Sequence, residues 1–171
     1  MKRFILISLL LISTLSLLGQ EINRSILGFK IGGVCSVQDA KNILSRQGYD
    51  VDDIIVDKES SWTEVYFSRV FGMEVTYVPF AGKKWQPVIV LTSDNKLAKI
   101  SLSKHLADGD FKELLSMYTQ KYGEPKESGG ELFRWGEDIC ISLKKSSGFV
   151  TLEYYSDVLC NQIENDVYNE I

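Results

Sequence analysis

Three segments alternate apolar and polar residues with a period of two. Ala98, Ile100 and Leu102 are interleaved with Lys99 and Ser101. Ile139, Ile141 and Leu143 are interleaved with Cys140, Ser142 and Lys144. Val150, Leu152 and Tyr154 are interleaved with Thr151, Glu153 and Tyr155. Successive side chains of a strand point to opposite faces, so this period predicts strands with one face on a core and the other toward water. Short polar turns, Ser93-Asp94-Asn95-Lys96 and Ser146-Ser147-Gly148, adjoin these segments. Strands joined in this way form an antiparallel meander. Further strands are predicted at Val51 to Val56, Trp62 to Val70, Met73-Val75-Tyr77, Pro87 to Thr92 and Leu132 to Trp135, with Pro79 to Trp85 as a connection.

Two segments change to helical spacing. Ser36 and Asp39 have the spacing of a capping box, and Val37, Ala40, Ile43 and Leu44 then share one helical face. Gly48 is a natural stop, which places a helix at 37–47. Asp110 and Glu113 repeat the capping spacing ahead of Phe111, Leu114, Leu115, Tyr118 and Tyr122, and Gly123 and Pro125 end that helix. The tail from Val158 to Ile171 has weak helical spacing, compatible with a short docked helix or a loose end. The order helix, strands, helix, strands predicts an α+β fold. Two helices pack on one face of a mostly antiparallel sheet, in an outline of two tandem helix-plus-meander repeats, and the other face stays open to water.

Lys2 and Arg3 precede an apolar run from Phe4 to Leu18. As a helix that run spans about 22 Å, short of the ~30 Å hydrocarbon core of a bilayer. Residues 1–19 therefore read as an export signal, and periplasmic or secreted localisation follows as an expectation, with no stable membrane insertion after cleavage. The remaining chain divides into a flexible segment at 20–27, a single domain at 28–157 with halves 28–105 and 106–157, and a tail at 158–171. The formal charge of the whole chain is −4, and removing Lys2 and Arg3 makes the rest more acidic. Nucleic acid is disfavoured, because phosphate binding needs clustered Lys and Arg, and only isolated pairs such as Lys83-Lys84 and Lys144-Lys145 occur. Three cysteines, Cys35, Cys140 and Cys160, permit one disulfide in an exported protein and always leave a thiol over.

Phe29-Lys30-Ile31-Gly32 before the first helix, Lys121-Tyr122-Gly123-Glu124-Pro125 closing the second, and Val150-Thr151-Leu152-Glu153-Tyr154 as the last strand form a recognisable frame across 28–157. In this the chain resembles exported α+β proteins of the beta-lactamase-inhibitor-protein-like (BLIP-like) type found among Bacteroidetes secreted proteins. The resemblance implies a fold. It carries no inhibitor contact motif and implies no inhibition.

Catalytic designs are sparsely supplied. His105 is the single histidine, and the nearby Ser101 and Ser103 lack a Gly-x-Ser-x-Gly elbow. Cys35 precedes the first helix, where the helix dipole would lower a thiol pKa, and is the best nucleophile on offer, although no base is placed for it. There is no Cys-x-x-Cys, and the acidic stretch Asp50, Asp52, Asp53 and Asp57 lacks the glycine of a Ca²⁺ loop, so no metal or other cofactor is expected. What remains is surface. If the apolar parity faces the helices, the opposite face carries Trp62, Glu64, Tyr66, Thr76, Lys99, Ser101, Arg134, Thr151, Glu153 and Tyr155. Trp, Tyr and Arg among small polar residues is the composition of a recognition surface. The expected function is a non-catalytic binding or interaction domain using Trp62, Glu64, Tyr66, Lys99, Arg134, Glu153 and Tyr155. Its partner would be another envelope or secreted protein, or less readily a glycan. The competing readings are a small exported hydrolase centred on Cys35 or on a carboxylate pair, and a purely structural envelope component.

Overall fold

The computed structural model describes residues 22–47, 51, 54–67, 78–80, 83–105 and 109–169. The expected signal at 1–19 and the expected strand at Met73-Val75-Tyr77 lie outside them.

A small hairpin opens the described chain, β1 (Ser25–Ile26) paired with β2 (Phe29–Lys30). Within the segment expected to be flexible, Ile22 and Ile26 are buried in the main core. Helix α1 (Val37–Arg46) follows, with its capping box formed. The Asp39 amide donates to Ser36 Oγ at 3.1 Å, and the Ser36 amide donates to Asp39 Oδ2 at 2.9 Å. Ala40 and Leu44 are its buried positions.

The strands β3 (Ile55–Lys58), β4 (Trp62–Tyr66), β5 (Val78–Phe80), β6 (Lys83–Thr92), β7 (Leu97–His105), β8 (Glu127–Gly129), β9 (Leu132–Gly136), β10 (Ile139–Ser146) and β11 (Phe149–Ser156) form one sheet. Its antiparallel path runs β3-β4-β6-β7-β11-β10-β9-β8, with β5 paired to β6 off that path. The stretch expected to be a connection at Pro79 to Trp85 is thus part of a strand pair. The final strands of the two meanders, β7 and β11, lie side by side at the centre.

Helix α2 (Asp110–Tyr122) lies between the two meanders in sequence. Its predicted Asp110 cap is not made. Gly109, in a left-handed conformation, is the N-cap, and Asp110 is instead ion-paired with Lys104 of β7. Leu114 and Tyr118 of α2 join Ala40 and Leu44 of α1 on the apolar sheet face, against Ile89, Ile100, Leu102, Ile141, Leu143 and Leu152. At the C-terminal end of α2, Trp135 Nε1 donates to the Gly123 carbonyl at 2.9 Å and ties the helix to β9.

The expectation of two helices on one face of the sheet is overturned. The tail forms a third helix, α3 (Asp157–Asn169), which starts without a linker after β11. It packs on β7 and β11 from the polar side. Cys160 Sγ lies 4.0 Å from the Ala98 carbonyl, and Arg134 of β9 holds Asp157 at 2.9 Å. Neither Leu159, Cys160 nor Ile163 belongs to the main core. The physical reason is parity: the last strand ends with its polar face available, and a weakly amphipathic helix with a half-buried stripe of Leu159, Cys160 and Ile163 folds back over it. The second face is therefore partly covered rather than open.

Candidate functional site

Strand register places the predicted residues. Residues directly opposite in an antiparallel pair share a face. Tyr66 opposes Val88, Val88 opposes Ser101, Ser101 opposes Glu153, Glu153 opposes Ser142, Ser142 opposes Arg134, and Arg134 opposes Glu127. The neighbouring row on the same face runs Glu64, Val90, Lys99, Tyr155, Cys140. Trp62, Glu64, Tyr66, Lys99, Arg134, Glu153 and Tyr155 thus all project from the face opposite the main core. Thr76 lies outside the described residues.

The register also divides this face into two groups. The first is on β4. Tyr66 donates its hydroxyl to Glu64, and that hydrogen bond, with burial and the Glu64 charge, pushes the phenol up to about 12. Trp62, Glu64 and Tyr66 are all half-buried. The second group spans β7, β11, β10 and β9. Glu153 accepts from Ser142 Oγ at 2.9 Å and Ser101 Oγ at 3.1 Å, with Lys99 Nζ at 3.4 Å. Arg134 donates to Glu127 and Asp157, both at 2.9 Å, and to Cys140 Sγ at 3.3 Å, and stacks 5.8 Å from the Tyr155 ring centre. Burial, and then the nearby Cys140 thiol, hold the Tyr155 phenol well above the usual tyrosine range. Between the groups lie Val88 and Val90 of β6.

Cys140, interleaved with Ser142 on β10, lies on this face as its parity requires. Sequence reasoning missed that α3 occupies part of the face and brings Cys160 to it. It also missed a depression of about 510 Å³ beside the N-terminal segment, lined by Arg24, Tyr122, Glu124, Trp135, Glu137 and Asp138 among others. Another hollow of about 340 Å³ shares Tyr122 in its wall, with Ile26, Met117, Lys121 and Tyr154. No periodic pattern could have found either, because their walls come from the chain entry, the end of α2 and the β9–β10 turn.

The chemistry considered for hydrolysis is poorly placed. Cys35 is buried, and desolvation, with the Asp39 charge, pushes its thiol up to about 11. The expected lowering by the helix dipole is thus reversed, because the side chain is buried and the Asp39 carboxylate of the first turn faces it. His105 ends β7 as an exposed residue with its ring 4.3 Å from Phe149. Cys35, Cys140 and Cys160 are free thiols. Among the described residues no group of three His, Cys, Asp or Glu is arranged to hold a metal ion, and no helix is long and apolar enough to cross a membrane. No family model, curated protein or solved structure matches the chain.

Proposed function

We propose that this protein is an exported, non-catalytic binding domain whose contact surface is the polar face of the sheet. The observation that carries the reading is the shared register of Tyr66, Glu64, Lys99, Glu153, Tyr155 and Arg134 on adjacent cross-strand rows of that face. A rigid sheet presents such side chains in a preorganised array, and little conformational entropy is lost when a partner docks. Charged groups on the array carry partners within the face, so they suit orientation and specificity better than proton transfer. The proposed partner is another envelope or secreted protein, with stacking of a glycan on Trp62 or Tyr66 as the lesser option.

The test is capture from cell-envelope and culture-medium fractions by the immobilised domain, beside a Trp62→Ala, Tyr66→Ala double variant. Both side chains are half-exposed, so the variant should retain its circular dichroism spectrum and cooperative melting. Specific capture lost in the folded variant supports the reading. Capture that the variant retains moves the surface elsewhere on the molecule.

A further inference from the structure

The proposed contact face already has an occupant. Helix α3 follows Ser156 directly and lies over the strands that carry Lys99, Glu153 and Tyr155, yet none of its residues is buried. Val158 is 63% exposed and Tyr168 77% exposed, so its apolar residues are divided between sheet and solvent. Its hold on the sheet is local. Asp157 is clamped by Arg134 at 2.9 Å and its amide donates to the Asp138 carbonyl at 3.0 Å, Ser156 Oγ accepts from the Leu159 amide at 3.4 Å, and Cys160 only approaches the Ala98 carbonyl. Helices of this length are marginal in water without a buried face, and segments with few buried apolar contacts open independently of the core.

We propose that α3 is a displaceable cover: it shields the polar sheet face in the free protein, and a protein partner must lift it to dock. This rests on the reading of that face as the contact surface. The Arg134–Asp157 pair is the latch. When it breaks, Arg134 keeps Glu127 and the Cys140 thiol, so the guanidinium is not left alone in the sheet. Asp157 is also the acidic residue of the first turn, where a negative charge favours the helix. Removing that charge weakens both the latch and the helix, and leaves the sheet intact.

The experiment uses the full domain and Asp157→Asn. Hydrogen exchange is followed by mass spectrometry, and partner capture is measured in parallel. The expected result is that α3 amides exchange at least about 100-fold faster than those of β7 and β11, by local opening. Asp157→Asn should accelerate α3 alone by several-fold and increase capture. Exchange of α3 at the same rate as β11 would overturn the cover, because the helix would then open only with the whole domain. Faster α3 exchange with unchanged capture would overturn it as well, while leaving the contact face standing. Absence of capture by either form would remove the contact-face reading, and the cover with it. A stop after Ser156 gives a second check. If that chain keeps Cys35, which lies in the main core on the other face, unreactive, it is folded, and its capture should equal or exceed that of Asp157→Asn.

Discussion

Leu102 and Leu152 face each other across β7 and β11, both fully buried, where the last strand of the first meander meets the last strand of the second. This pairing makes one sheet of two segments distant in sequence. Leu152→Ala leaves a cavity at that seam, which the flanking Leu143 and Ile100 cannot readily fill. The expected loss is about 3 kcal/mol, in the range for buried leucine truncation. Urea unfolding followed by fluorescence gives the value. A loss below about 1 kcal/mol would mean that the seam is loosely packed and that the two halves are stabilised separately.

Gly136 ends β9 at φ 95°, and a Cβ built there would lie 2.1 Å from the Ile139 carbonyl oxygen and 2.7 Å from Ile22 Cδ1. The absent side chain leaves room for the Ile139 carbonyl and for the buried Ile22 side chain. Gly136→Ala should therefore cost more than the conformational penalty alone, roughly 2 kcal/mol or above. Gly148 is the control. Its φ is 83° but no atom lies within 4 Å of a built Cβ. Gly148→Ala should cost only about 1 kcal/mol. Equal effects at the two sites would show that Ile22 is not held by this contact.

The parts of the fold that are legible in the sequence depend on local physics. Ser36 and Asp39 sit at capping-box spacing and form the box; Ile141, Leu143, Val150 and Leu152 alternate and line the core. The same parity puts Lys99, Glu153 and Tyr155 together on the opposite face. The failures are tertiary. Asp110 has the sequence of a cap, but a nearby Lys104 and a left-handed Gly109 give it a different partner. Local spacing leaves open whether the tail docks as a helix at all; where it does, its start is held by Arg134, more than twenty residues away, through Asp157. Cys35 shows the same limit: its helix-adjacent position suggested activation, and only its burial in the core decides its chemistry.

Thiol reactivity follows from that burial. Cys35 and Cys140 are buried, and Cys160 is half-buried with its thiol pushed up to about 11, first by desolvation. At pH 8 the thiolate fraction of Cys35 and Cys160 is small, and the thiolate is the reactive form. In the folded domain an aromatic disulfide reagent should titrate Cys160 slowly and the other two hardly at all. Adding urea should release all three. Rapid labelling of Cys35 in the folded protein would reverse this account and bring back a cysteine-centred hydrolase.

Tyr118 and Tyr154 join their hydroxyls inside the domain, between α2 and β11. Burial holds both phenols well above the usual tyrosine range, and Tyr66 is pushed up to about 12 by its hydrogen bond to Glu64. The sign of the pH effect follows. A phenol is neutral when protonated, and its folded pKa exceeds the unfolded value of about 10. The stabilisation from keeping it protonated is complete below pH 10 and is lost as pH rises from there toward the folded value. Urea midpoints should be flat for these groups from pH 7 to 9 and fall steadily above pH 10. Tyr154→Phe separates the buried pair from the rest. At pH 7 it leaves the Tyr118 hydroxyl short of a partner, at a cost of about 1 to 2 kcal/mol. Above pH 10 the variant no longer has a Tyr154 phenol to ionise on unfolding, so the gap to the parent should narrow. A gap that stays constant from pH 7 to 11 would mean that the pair ionises as readily in the folded chain as in the unfolded one.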